Sequence, residues 1–153
     1  RKVTYLEPRA PVLELLCGAG NFTTILAGQF SNILAVEGDE AALKRLDDEV
    51  VPCVSTRHCN LFDELAVKAL ATRLHDTEVL LMDPTSRLMP TREPLLDAMK
   101  KLETVIYISC DLATWSRDCE SFIGRGFRLA EVQPIDLFPH TPHLELLSVL
   151  TRQ

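Results

Sequence analysis

The sequence lacks most of the features that would set it apart from an ordinary globular domain. No segment approaches the roughly 18 apolar residues of a membrane-spanning helix, and Arg1 to Arg9 hold no apolar run of signal-peptide length. Internal repeats, low-complexity tracts and linker-like stretches are also missing. Basic charge is scarce: 16 Lys and Arg stand against 22 Asp and Glu, a formal net charge of −6. That sign excludes a general field that grips a phosphate backbone, so any affinity for RNA must be local or supplied by another part of the protein. The five cysteines, Cys17, Cys53, Cys59, Cys110 and Cys119, are odd in number and lack the paired short spacing of a zinc ribbon or disulfide scaffold. A reducing, cytoplasmic setting is expected. An initiator Met is missing and the first core strand comes within about a dozen residues, as expected for a piece of something longer.

What is present is enough for one core. With 153 residues and 46% hydrophobic content, residues 1–153 read as a single domain. Apolar runs alternate with helical patterns, which argues for βαβ units and a largely parallel sheet. Strands are expected at Val12–Leu16, Ile33–Val36, Cys53–Thr56, Val79–Met82 and Val105–Ser109. Helices are expected at Thr23–Gln29, Glu40–Val50, Glu64–Leu74, Glu93–Leu102 and Leu112–Ile123, the last stopped by Gly124 and Gly126. Arg128–Gln133 and Leu144–Thr151 then follow as strands with only a loop between them, the simplest reading of which is an antiparallel pair. Seven strands with the last reversed resemble the α/β, Rossmann-like sheet of S-adenosylmethionine-dependent methyltransferases.

In Leu13-Glu14-Leu15-Leu16-Cys17-Gly18-Ala19-Gly20-Asn21-Phe22, a hydrophobic strand ends in a glycine turn that opens a helix. Gly18 and Gly20 let the backbone reverse tightly and approach a ligand closely, although a tight turn needs glycines in any case. Glu37 ends the second strand 17 residues after Gly20, near the spacing at which a carboxylate accepts hydrogen bonds from both hydroxyls of a ribose. Turn and acid together favour an adenosine-type ligand. A pyrophosphate is less favoured, because the third glycine of the dinucleotide pattern falls on Thr23. Asp83-Pro84 closes the fourth strand at the same sheet edge, and Asn60 lies beyond the third; each also has a plain reading as a strand terminator or a loop cap.

Cys110 follows Tyr107-Ile108-Ser109 and precedes a helix, where amides and the helix dipole favour a thiolate; the other cysteines lack that combination. Because the last strand is reversed, Glu145 at its start falls at the edge that holds Cys110 and Asp83. His140 and His143 read as turn residues, and a metal site built from them and Cys110 is disfavoured.

Ile108-Ser109-Cys110-Asp111 followed by Asp136-Leu137-Phe138-Pro139-His140-Thr141-Pro142-His143-Leu144-Glu145 resembles the uracil-5 RNA methyltransferase family, with wording closest to the branch that methylates 23S ribosomal RNA and the transfer-RNA branch as the other option. The resemblance implies S-adenosylmethionine as cofactor, with contacts at Leu16, Asn21, Glu37, Asn60 and Asp83 beside the Gly18 and Gly20 turn. It implies Cys110 as the nucleophile, Glu145 as the base, 5-methyluridine as the product, and an RNA-binding part that lies N-terminal to this catalytic domain.

Two positions depart from the family pattern. Asp83-Pro84-Thr85-Ser86-Arg87 replaces Asp-Pro-Pro-Arg and delays the arginine by one residue, and Ser109-Cys110-Asp111-Leu112 replaces Ser-Cys-Asn-Pro, setting a carboxylate beside the nucleophile. Asp111 either opposes the thiolate or caps the following helix. These departures leave open a non-catalytic cofactor-binding module of a larger RNA-modifying protein; a small-molecule methyltransferase is a more remote reading.

Overall fold

The computed structural model describes residues 6–49, 51–84, 92–136 and 144–153. Its elements follow in the order β1 (Val12–Leu15), α1 (Asn21–Ala27), β2 (Ile33–Glu37), α2 (Glu40–Asp48), β3 (Val54–His58), α3 (Glu64–Ala71), β4 (Val79–Met82), α4 (Arg92–Ala98), β5 (Thr104–Ser109), α5 (Leu112–Gly124), β6 (Phe127–Ile135) and β7 (Glu145–Arg152). They form one seven-stranded sheet in the order β3-β2-β1-β4-β5-β7-β6. Strands β1 to β5 are parallel, and β7 runs antiparallel to both β5 and β6. The expected α/β plan with its last strand reversed is what the chain adopts.

Alternation along the central strands builds two cores. Leu13 and Leu15 of β1, Leu80 and Met82 of β4, and Val105 and Tyr107 of β5 pack with Val67, Leu95 and Phe122 from α3, α4 and α5. On the opposite face, Val12, Ile33, Val79 and Leu81 pack with Leu26 of α1, while Leu43 and Leu46 of α2 cover Ala35 and Cys17. Strands β1 and β4 are buried along their whole length, as expected of parallel strands with helices on both faces.

Several boundaries differ from the sequence expectation for physical reasons. Leu16 leaves the first strand because its φ is +62°, a left-handed conformation that ends the ladder. Helix α1 begins at Asn21, two residues earlier than its apolar pattern suggests, since Gly20 at φ +95° turns the chain directly into it. Strand β6 continues through Pro134, which an interior strand would reject; among the described residues β6 pairs only with β7, leaving a side where the missing N–H costs nothing. Val50, placed in the second helix by its sequence pattern, lies outside the described residues.

The chain changes direction between β1 and β4, the switch point at which the first crossover runs to one side and the later ones to the other. Ligands of open α/β sheets collect above such a point, at the C-terminal ends of the parallel strands. The glycine turn sits there. A Cβ on Gly20 would lie 2.5 Å from Leu46 Cδ1, whereas one on Gly18, at φ +55°, would meet nothing within 4 Å. Gly20 is therefore required by α2 packing, and Gly18 opens onto free space. Urea unfolding is expected to show Gly20→Ala destabilising the chain by about 3 kcal/mol, from backbone strain plus overpacking against Leu46. Gly18→Ala is expected to cost only about 1 kcal/mol, the strain alone.

Candidate functional site

The turn after β1 is organised by Glu37. Its Oε2 accepts a hydrogen bond from the Gly18 N–H at 2.8 Å, while Oε1 accepts from Gly38 N–H at 2.7 Å and Asp39 N–H at 2.9 Å. Three amides thus fix the carboxylate at the end of β2 and tie it to the glycine turn, with Asp39 capping α2 immediately beyond. Glu37 also lines a cleft of about 470 Å³ with Leu16, Gly38, Asp39, Asn60, Leu61 and Phe62. Asn60 is held by a turn in which its Oδ1 accepts from the Phe62 N–H at 3.0 Å. Three of the sequence-derived candidates, Leu16, Glu37 and Asn60, therefore share one cleft, and Gly18 borders it through its bond to Glu37.

Asn21 stands apart from that cleft, exposed at the first residue of α1. Asp83 lies at the end of β4 beside a second group of carboxyls. Burial raises its pKa first, and the charge of Glu145 raises it further, so the structure brings Asp83 and Glu145 within electrostatic reach. Arg87, His140 and His143 lie outside the described residues, and no cluster able to hold a metal ion occurs among the described ones.

The β5–β7 ladder places Cys110 relative to Glu145. Its pairs run from Thr104 with Thr151 to Ser109 with Leu146, so Cys110 and Glu145 each lie one residue beyond the last pair, at the same edge of the sheet. Cys110 is exposed, whereas Cys17, Cys59 and Cys119 are buried. Burial pushes the Cys17 thiol up to about 12 and the Cys119 thiol up to about 11, with the charges of Glu14 and Asp118 respectively adding to it. Both are held as neutral thiols, which removes them as competing nucleophiles. Asp111 caps α5: its Oδ1 accepts from the Thr114 N–H at 2.6 Å, and hydrogen bonding from the Thr114 side chain, then from its N–H, lowers the Asp111 pKa.

A model of the tRNA (uracil-5-)-methyltransferase family matches residues 5–153. The chain belongs to that family. An uncharacterized RNA methyltransferase of Nitrosomonas europaea is 38% identical over 143 residues, covering 93% of this chain and 36% of that protein. The 23S rRNA (uracil(1939)-C(5))-methyltransferase RlmD of Klebsiella pneumoniae is 32% identical, over 97% of this chain and 34% of its own length. The chain thus spans about a third of the curated relatives it matches. Among solved structures, Pyrococcus abyssi tRNA (uracil-54, C5)-methyltransferase in complex with S-adenosyl-L-homocysteine superposes with a TM-score of 0.72 at 23% identity, over 93% of this chain and 34% of that one. A putative S-adenosylmethionine-dependent methyltransferase from Listeria monocytogenes gives 0.73 at 13% identity, over 97% of this chain and 93% of that one. At these identities the two superpositions establish the fold.

Two residues of this domain were not singled out by sequence reasoning. Phe62, 49% exposed, forms an apolar wall of the cleft; an aromatic two residues beyond Asn60 was the available signal. Glu14 is 1% exposed on β1 and faces α1, where its Oε2 accepts from the Thr23 hydroxyl at 2.5 Å while Oε1 has no hydrogen-bond partner among the described residues. An acid inside an otherwise apolar strand was visible in the sequence but was read only as part of the motif.

Burial pushes the Glu14 carboxyl up to about 7; the Thr23 bond opposes this and the charge of Asp83 reinforces it. Between the unfolded value near 4.5 and about 7 the folded chain holds a proton that the unfolded chain has lost. The corresponding stability is complete below the lower value and is lost as pH rises to the upper one, on the order of 3 kcal/mol in all. Glu14→Gln, which keeps an acceptor for Thr23, is expected to match the wild type near pH 4.5 and to exceed its unfolding free energy by that amount at pH 8. Equal pH profiles in denaturant titrations would show that Glu14 stays ionised.

Proposed function

We propose that this domain transfers a methyl group from S-adenosylmethionine to carbon 5 of a uridine in RNA, through a covalent adduct on Cys110. The observation that carries the reading is the β5–β7 register, whose last pair, Ser109 with Leu146, is followed on one strand by an exposed thiol and preceded on the other by a carboxylate. Family membership supports it, as do the RNA targets named for the Klebsiella and Pyrococcus relatives. The identity to RlmD favours ribosomal over transfer RNA.

The cleft fits a nucleoside cofactor. Glu37 keeps acceptor capacity beyond its three amide bonds for ribose hydroxyls, Asn60 offers amide groups, Leu16 and Phe62 supply apolar walls, and Gly18 leaves room for close backbone approach. Asp83 adds a carboxylate at the same sheet edge, suited to a cationic ligand. S-adenosylmethionine supplies the methyl group when bound.

The remaining chemistry belongs to the chain. Carbon 5 of uracil is a poor nucleophile until the Cys110 thiolate adds to carbon 6 and raises electron density at carbon 5. After methylation Glu145 removes the proton from carbon 5, the carbon 6–sulfur bond breaks, and the thiolate is restored. The net charge of −6 leaves grip on the RNA backbone to a more basic, N-terminal part of the whole protein. With the base turned out of its stack, this domain holds cofactor and uracil together.

Calorimetric titration of S-adenosylmethionine is expected to give a complex that Glu37→Ala weakens at least about tenfold, through loss of charged hydrogen bonds. In the full-length protein Cys110→Ala is expected to abolish methyl transfer while cofactor binding persists. Turnover that survives in Cys110→Ala would refute the covalent route, and cofactor binding without turnover by the wild type would favour the non-catalytic alternative.

A further inference from the structure

Helix α5 bonds to both strands that carry the proposed catalytic pair, and it does so at matching positions. Trp115 Nε1 donates to Ser148 Oγ on β7 at 2.7 Å, and the Tyr107 hydroxyl on β5 donates to Asp118 Oδ2 at 2.7 Å. Trp115 and Asp118 are three residues apart, so they share one face of the helix. Tyr107 and Ser148 are direct partners in the β5–β7 ladder, and both are completely buried. From this cross-strand pair the chain runs three residues forward along β5 to Cys110 and three residues back along β7 to Glu145. At about 3.3 Å per residue, each anchor lies roughly 10 Å behind the group it would aim.

The same segment is fixed at its near end. Ser109, 2% exposed, places its hydroxyl within 3.1 Å of Asp111 O and 3.3 Å of Asp111 N, and Asp111 caps α5. Cys110 therefore sits on a turn held from the strand side by Ser109, from the helix side by Asp111, and from behind by Tyr107. Two well-packed apolar pairs would cover the sheet equally well; buried, directional bonds instead fix the rotation and height of the helix over the two strands. Burial, the bond to Asp118 and the charge of Asp118 hold the Tyr107 phenol in its neutral form, so it remains a donor at any physiological pH.

We infer that Trp115–Ser148 and Tyr107–Asp118 form a two-point brace by which α5 sets the position of Glu145 relative to Cys110. All four are positioning residues, and the inference rests on the reading of Cys110 as nucleophile and Glu145 as base. The two groups act on adjacent ring carbons in successive steps, and an error near 1 Å in such an arrangement costs on the order of a hundredfold. Because each anchor serves one strand, the two halves of the brace affect different steps. Loosening β5 slows addition of Cys110 to carbon 6; loosening β7 slows proton removal by Glu145 and leaves the adduct standing.

The test uses the full-length protein and a 23S ribosomal RNA fragment. A 5-fluorouridine version has no proton to lose at carbon 5 and reports adduct formation alone; ordinary uridine reports formation and breakdown together. Tyr107→Phe is expected to slow adduct formation on the fluorinated RNA about tenfold. Ser148→Ala is expected to leave that rate within about twofold and to accumulate covalent protein–RNA complex on ordinary uridine RNA. Trp115→Phe removes the same bond from the partly exposed side and gives the same phenotype, which covers the case in which Ser148→Ala folds poorly. If these variants lower the unfolding midpoint but keep wild-type adduct rates and no accumulation per folded molecule, the brace is merely structural and the inference falls. If the wild type forms no adduct with 5-fluorouridine RNA, the covalent reading fails and takes the inference with it.

Discussion

A reversed strand lodged between β5 and β6 is the constraint on which the rest of the site depends. The strands from β1 to β5 are parallel and therefore offer only their C-terminal ends to the ligand-binding edge, so every side chain they contribute there comes from a strand end or the loop after it. Strand β7 breaks that pattern. Its antiparallel pairing with β5 brings the start of a strand to the same edge, and with it Glu145, just beyond the last pair, as is the cysteine that follows β5. Period-two alternation makes the register unforgiving: a slip of one residue would expose Leu146, Ser148 and Leu150, buried in the pairing observed, and turn Glu145 away. Core packing thus fixes the register on which the proposed chemistry relies.

The other half of the site is governed by the cost of a tight turn. Leu16, Gly18 and Gly20 all carry positive φ, and for Leu16 that conformation costs about 1 kcal/mol or more. The amide bonds from Gly18, Gly38 and Asp39 to Glu37, and the seating of Gly20 against Leu46, offset that cost. Glu37 thus has two roles, closing the turn through its amide bonds and lining the cleft through its remaining acceptor capacity. Glu14 beneath the turn is the counterpart in the interior. A carboxyl with one bonded and one unbonded oxygen is not the choice that stability alone would make in an apolar strand, and its place beside Asp83 ties it to the ligand edge.

Much of this was legible in the sequence because the relevant signals are local. Apolar runs, the glycine turn, the acid at the end of β2 and the cysteine after β5 are each set by a few consecutive residues, and all fell in the expected elements. What escaped depends on distant partners. The left-handed Leu16 follows from how β1 hands the chain to the turn, and the continuation of β6 through Pro134 from its edge position. The bonds of Trp115 to Ser148 and of Tyr107 to Asp118 span 33 and 11 residues, so neither composition nor periodicity could have announced them. Asp111 is intermediate: the sequence allowed a cap or a competitor for the thiolate, and geometry chose the cap.

The most direct measurement is to trap the full-length protein on 5-fluorouridine RNA, digest the complex and identify the cross-linked peptide by mass spectrometry. The proposal expects the nucleotide on Cys110, the exposed cysteine just beyond the end of the β5–β7 ladder. Attachment at Cys17, Cys53, Cys59 or Cys119, or transfer of methyl to RNA with no covalent complex at all, would contradict it.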